Sequence, residues 1–367
     1  MKIHTALGNS RDTFTVLMKG QTGIAPVKHG FEGIAGYIPG LDKAKGQSRF
    51  ESLLELVLDN FLGLPPDTLL ITSTTKAGID ILEYMLESKT EEQGALFKAL
   101  PGSMTSHVCT RLNLSSPGIS ISAACASAAV ALARGAMEIA SGRARSVLVV
   151  CAEIVSRFIL KGFGALQALD SRPCRPFDRD RAGLSPGEGA AAIHLVGEDR
   201  AGKADEHMFG EIMGWGVACD AVHVTAPARD GRGLILAMNK ALDRAGLSPE
   251  DVGAVHAHGT GTVYNDAMEM KAIKAVFKDR RLPVHSVKGA LGHTMGAAGG
   301  IEAVLGLMSL EAGLVPPTVG LEYPDEEARG YVSAQAQHFS GGVIVSTNSG
   351  FGGINAALVL GPAQGAA

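Results

Sequence analysis

Along this 367-residue chain, short apolar runs alternate with longer stretches of helical period. The runs TLLITST (68–74), SVLVVCAEI (146–154), GAVHAHG (253–259) and GGVIVSTNS (341–349) are β-branched or apolar, the pattern of buried strands. Between them, 50–62, 125–141 and 233–245 repeat apolar positions at helix spacing. The alternation predicts an α/β layered fold. The segment GEDRAGKADEH (197–207) breaks the apolar period with charge and glycine, which divides the chain into halves 1–205 and 206–367. Two small-residue helices, SAACASAAVALARGAMEIASG and GHTMGAAGGIEAVLGLMSLEAG, echo each other across that division. Each follows a strand-like run and ends in glycine, as expected of two duplicated α/β halves with such a helix buried between sheets.

Composition narrows the class. With 47 glycines and only 5% aromatic residues, the core is expected to be compact and rich in Ala, Gly and Val. The net charge of −4, without a basic stripe, excludes nucleic acid as a partner. Five cysteines, odd in number and without a C-x-x-C pair, argue against a disulfide framework and a structural zinc site. Reduced thiols point to the cytoplasm. The N-terminus lacks a leader-like apolar core, and no uninterrupted apolar run approaches the ~20 residues that span a bilayer, so no membrane span is expected.

Chemistry is concentrated at a few positions. Cys125 stands where a strand-like run (Ser120, Ile121, Ser122) gives way to a helical one (Ala128, Ala129, Leu132, Ala136, Ile139). At a helix N-terminus a thiol is expected to ionise below the ~8.5 of a free cysteine, as an activated nucleophile does. The competing reading is a small thiol packed into a tight helix start. Among eleven histidines, His258 in VHAHGTGT and His293 in SVKGALGHTMGAAGG fall at strand-to-loop junctions, where layered α/β folds place ligands. His4, His29, His207 and His338 are read as packed or surface residues. The glycine-rich stretches lack the Lys-Ser/Thr of a P-loop, and Gly350, Gly352 and Gly353 do not space as G-x-G-x-x-G, which sets nucleotide binding aside.

Taken in order, the cysteine at a helix start, CRPFDRDRAGLSPGEGAAA (174–192), CDAVHVTAPARDG (219–231), HGTGT, VKGALGHTMGAAG and NSGFGG resemble the β-ketoacyl synthases, the condensing enzymes of the thiolase fold. The resemblance runs from about Gly20 to Leu360 and fits the elongating Cys-His-His branch better than the initiating Cys-His-Asn branch. It implies a thiolase-like fold of two duplicated halves forming a five-layered α-β-α-β-α core. It also implies that Cys125 accepts the acyl group, that His258 and His293 bind the malonyl thioester, and that Lys288 is the active-site lysine with Glu302 as its acidic partner. Asp266 and Glu269 match acids supporting the histidine loop, a solvated turn being the alternative, and Phe351 between Gly350 and Gly352 matches a gate. The backbone N–H groups of Cys125 and Phe351 match the oxyanion donors.

The expected activity is that of a 3-oxoacyl-[acyl-carrier-protein] synthase of fatty-acid or polyketide type, with no metal and no organic cofactor. Its partners are acyl carrier protein bearing acyl and malonyl groups, and a second chain in a homodimer, or alternatively in a heterodimer. A chain-length-factor-like partner subunit is a weaker reading because such subunits typically lack the nucleophile; a thioester hydrolase or acyltransferase gives the second histidine no role. Two departures from the family pattern stand out. NSGFGG is one residue shorter, lacking a phenylalanine between serine and the first glycine, and 87–104 is read as short and polar where larger relatives build tunnel and dimer contact.

Overall fold

The computed structural model describes residues 1–28, 32–41, 48–89, 94–198, 208–278 and 280–363. Two sheets repeat one topology. In the first, the strands lie in the order Ile119–Ile121, Leu69–Ser73, Ser146–Glu153, Gly189–Val196, Lys2–Thr5, with Gly8–Asn9 added at the far edge. In the second the order is Val284–His285, Val252–His256, Val343–Gly350, Ile354–Gly361, Glu211–Cys219. In both, these five strands stand in the chain order third, second, fourth, fifth, first. Both begin with two parallel pairings and finish with two antiparallel ones. That shared order and sense is the structural form of the echo in the sequence. The division at 205/206 lies outside the described residues.

Period-two alternation explains the layers, because each central strand is buried on both faces. From Ser146–Glu153, Val147, Val149 and Cys151 face inward while Leu148, Val150 and Ala152 face outward. Ile354–Gly361 does the same with Ala356, Leu358 and Leu360 against Ala357 and Val359. The inward faces enclose two helices, Ser127–Ala140 and Ala298–Ala312. The outward faces are covered by Arg49–Leu58 and Pro101–Leu112 on one side, and by Arg232–Ala245 and Val263–Phe277 on the other. The result is the five-layered α-β-α-β-α arrangement.

Small residues make the central layer close-packed. A Cβ on Gly299 would lie 2.7 Å from the Ala129 backbone nitrogen, so the two inner helices touch backbone to side chain with no room for a methyl. The stretch Met295–Ala312 is long and apolar enough by composition to cross a membrane, but Glu302 and Glu311 interrupt it and 72% of it is buried between the sheets, as befits a core helix.

Element boundaries follow the periodicity closely. The helix predicted over 125–141 runs Ser127–Ala140, that over 233–245 runs Arg232–Ala245, and 50–62 is Arg49–Leu58 followed by a 3-10 turn, Asp59–Phe61. The segment 87–104 departs from its polar reading. Residues 90–93 lie outside the described ones, but short helices at Ala95–Lys98 and Pro101–Leu112 leave Leu96, Phe97 and Leu100 exposed, Phe97 by 71%. Met104 anchors its end in the core, while Leu96, Phe97 and Leu100 face outward among the charges.

His4 is half-buried and His338 exposed, whereas His29 and His207 lie outside the described residues. An unanticipated pair is His256 and His285, which face each other in register on adjacent parallel strands with ring centroids 4.2 Å apart. None of their four ring nitrogens has a hydrogen-bond partner among the described residues. Burial pushes His285 down to about 3 and His256 well below the ordinary imidazole range. The unfolded chain therefore binds more protons than the folded one below about pH 6.5, so this contribution to stability is complete above that value and lost as pH falls. Replacing His285 with phenylalanine is expected to flatten the acid limb of a denaturant-melt stability profile by about 1.4 kcal/mol per pH unit.

Candidate active site

Cys125 sits just ahead of Ala126, the N-cap of the inner helix Ser127–Ala140. The turn into that helix is unusual, since Ala124 adopts φ +48°, a left-handed conformation that residues with a Cβ rarely occupy. Ser127 holds it: its hydroxyl accepts from the Ala123 N–H at 2.8 Å and donates to the Ala124 carbonyl at 2.6 Å. Gly350 presses on the same turn, for an added Cβ would lie 3.1 Å from the Cys125 nitrogen. The thiol opens into a cavity of about 350 Å³ that His258, His293, Phe163 and Phe351 also line.

The ionisation expected of this thiol is reversed. Burial pushes Cys125 up to about 11; the Lys288 cation, the Phe351 N–H directed at the sulfur and the Lys76 cation pull it partly back, and Glu153 pushes it further up. At 8% exposure, removal of a thiolate from water outweighs what the helix end supplies. Cys125 rests as a neutral thiol.

The two histidines arrive on different supports. His258 follows the strand Val252–His256, and its loop hangs from two acids of the helix Val263–Phe277. Glu269 accepts from the His258 N–H at 2.5 Å and the Gly259 N–H at 2.7 Å, and Asp266 accepts from the Thr260 N–H at 3.0 Å. Both acids are buried, at 1% and 0% exposure for Asp266 and Glu269, so the solvated-turn alternative fails. Burial raises both carboxyls, Glu269 to about 7. His293 is tied into the 174–192 segment, donating its N–H to the Ser185 carbonyl at 2.7 Å and accepting from the Gly187 N–H at 2.9 Å.

Hydrogen-bond partners assign the same tautomer to each ring. Lys288 donates to His258 Nδ1 at 3.2 Å, and the Met295 N–H donates to His293 Nδ1 at 3.3 Å. An imidazole whose Nδ1 accepts carries its proton on Nε2. Burial and the nearby Lys288 cation push both histidines well below the usual range, which keeps them neutral. The rings lie 5.1 Å apart at 84°, and their ligand atoms and the Cys125 sulfur all fall within 4.8 Å of one another. This is the one His/Cys/carboxylate trio with metal spacing among the described residues, and the flanking ammonium of Lys288 opposes a divalent cation there.

Lys288 and Glu302 form a buried ion pair at 2.5 Å, and Lys288 also donates to the His258 carbonyl. Asn348, whose position the sequence reading left without a role, completes the network by donating to Glu302 Oε2 at 2.6 Å and lying 3.4 Å from His258 Nδ1. Phe351 is 36% exposed at the cavity rim, edge-on to Phe163 at 6.2 Å, and Gly352 beside it has φ +84°. A second buried ion pair, Lys76 with Glu153 at 2.5 Å, was also missed. Its only signal is a lone charge closing each of two apolar runs, TLLITSTTK and SVLVVCAE.

Comparison with known proteins decides the family. Residues 63–201 match the β-ketoacyl synthase N-terminal domain and residues 209–322 its C-terminal domain. The chain belongs to the β-ketoacyl synthase family. It is 35% identical over 263 residues to 3-oxoacyl-[acyl-carrier-protein] synthase 2 of Coxiella burnetii, a match covering 69% of this chain and 64% of that protein. The chain thus spans less than two thirds of that relative's length. A β-ketoacyl synthase from Burkholderia phymatum superposes with a TM-score of 0.88 at 26% identity, covering 99% of this chain and 98% of that one. A chain of a ketosynthase in complex with its chain length factor, from Xenorhabdus doucetiae, superposes with a TM-score of 0.84 at 28% identity, covering 99% and 96%. In this member of the family all five cysteines are free. Alkylation of Cys125 by iodoacetamide, followed by peptide mass spectrometry, is expected to accelerate roughly tenfold per pH unit from about pH 7 to about pH 10. A plateau near neutrality would show a thiolate that the burial forbids.

Proposed function

We propose that the chain is a 3-oxoacyl-[acyl-carrier-protein] synthase working by acyl transfer and then decarboxylative condensation. The observation that carries this reading is the convergence of one thiol and two neutral imidazoles, each with its Nδ1 occupied and its Nε2–H free for the cavity. An acyl thioester delivered on a carrier protein is attacked by the Cys125 sulfur; the new S–C bond replaces the carrier's, and the thiol proton leaves with the carrier thiol. The tetrahedral oxyanion is met by the N–H groups of Cys125 and Phe351.

Malonyl-carrier protein then binds with its thioester carbonyl against the two Nε2–H donors. Loss of carbon dioxide sends an electron pair into that carbonyl, and the donors stabilise the enolate oxygen that forms. A single preorganised donor of this kind contributes about 2.7–4 kcal/mol to the transition state. The enolate carbon attacks the Cys125 acyl carbonyl, the S–C bond breaks, the 3-oxoacyl chain leaves on the carrier, and the departing sulfur takes a proton from water to restore the resting thiol. No step draws on a metal or an organic cofactor. A hydrolase reading leaves the paired donors without work.

We assign the nucleophile to a half spanning 1–205, the histidines to a half spanning 206–367, and the reaction to the cytoplasm. A second chain of the same fold, identical or chain-length-factor-like, is proposed to pair along the edge strand Ile119–Ile121. The exposed Leu96, Phe97 and Phe158 support an apolar contact. The test is intact-protein mass spectrometry with acyl-carrier protein followed by malonyl-carrier protein. Wild type is expected to gain the acyl mass and then lose it as 3-oxoacyl product, and Cys125→Ala to gain none. Acyl mass and product retained by Cys125→Ala would overturn the assignment, as would release of free acid alone. His293→Ala is expected to acylate yet to condense about 100- to 1,000-fold more slowly.

A further inference from the structure

The buried pair Lys76–Glu153 touches none of the reacting atoms, and its two charges act on the Cys125 thiol in opposite senses, yet it adjoins the turn that carries His293. Lys76 follows the strand Leu69–Ser73 and Glu153 ends the neighbouring parallel strand Ser146–Glu153, so the two charges meet at the end of the first sheet. Lys76 is 6% exposed and Glu153 fully buried, with Nζ to Oε2 at 2.5 Å. The other carboxylate oxygen accepts from the Thr75 N–H. A buried ion pair contributes little net stability compared with apolar residues of the same shape, so stability alone is a poor reason for its presence.

The contacts lead from this pair to His293. Lys76 Nζ lies 3.5 Å from the Met295 sulfur, and the Met295 N–H is the donor that sets the His293 tautomer. Met295 has φ +45°, a conformation a side-chain-bearing residue keeps only when its surroundings enforce it. Gly296 is pressed onto the carboxylate, since an added Cβ would lie 2.7 Å from Glu153 Oε1, and its carbonyl accepts from the Ser73 hydroxyl at 3.2 Å. The turn is therefore seated on the ion pair at two successive residues, Met295 on Lys76 and Gly296 on Glu153.

We propose that Lys76, clamped by Glu153, is a positioning residue that acts through Met295 to hold the His293 Nε2–H at the enolate site. The inference rests on the ketosynthase reading and separates its two half-reactions, because only condensation uses His293. Loss of the clamp loosens the Met295 turn and misplaces one of two donors, while Cys125, held by Ser127 and Gly350, keeps its place.

The experiment compares wild type, Lys76→Met, and the double variant Lys76→Met/Glu153→Gln, which leaves no unpaired buried charge. Acylation of Cys125 by acyl-carrier protein is followed by intact mass, and single-turnover condensation of the pre-acylated protein with malonyl-carrier protein by product mass. Thermal melting confirms that each is folded. In the double variant, which removes both opposing effects on the Cys125 thiol, condensation is expected to slow about 10- to 100-fold while acylation stays within about threefold of wild type; Lys76→Met, which leaves Glu153 unpaired, is expected to slow condensation at least as much. Condensation at the wild-type rate in the folded double variant overturns the inference, and so does an equal fall in both half-reactions of that variant. Wild type that performs neither half-reaction overturns the ketosynthase reading itself and this inference with it.

Discussion

The contact of Gly299 with Ala129 is the constraint on which the site depends. It lies in the first turn of each inner helix, and the residues that do chemistry stand just ahead of those turns: Cys125 before one, His293 before the other. A methyl at Gly299 would meet the Ala129 nitrogen at 2.7 Å and the Asn348 amide oxygen at 2.6 Å, forcing the helices apart and the active residues with them. Small residues in the central layer therefore serve geometry as well as packing density. The repeated sheet topology brings two helix starts to one place from distant parts of the chain.

Electrostatics at that place favours charge that develops over charge that persists. Two helix N-termini meet at the cavity, and two buried ammonium groups, each paired with a carboxylate, stand behind His258 and the turn of His293. Burial keeps the thiol and both imidazoles neutral at rest. An oxyanion or enolate forming between them meets aligned donors that need no reorganisation, and this difference between ground and transition states is what accelerates a reaction. The same low-dielectric setting would make a resting thiolate expensive, and acyl transfer from one thioester to another does not require one.

Much of this was legible in the chain. Apolar runs such as SVLVVCAEI marked strands to within a residue, whereas GAVHAHG overran the strand Val252–His256 into the His258 loop, and the spacing of Ala128, Ala129, Leu132 and Ala136 gave the nucleophile helix. The positions of Lys288, Glu302, Asp266 and Glu269 came from family resemblance, and the structure places all of them around His258. The thiol's ionisation was misread because a helix start is a local property, whereas burial is set by the layers that close over it. Lys76 and Glu153 escaped notice for a related reason: their meaning lies in a contact between two strands and a turn far away in sequence. Leu96 and Phe97 were hidden by the charges around them.

The claim at the centre is that both rings present a neutral Nε2–H to one point. Nitrogen-15 NMR of the imidazoles in the resting protein, with His258 and His293 assigned through single substitutions, measures this directly. At about pH 6, where an exposed histidine is largely protonated, both rings should show a protonated Nε2 and an unprotonated Nδ1. Either ring appearing as imidazolium, or with its proton on Nδ1, would contradict the account.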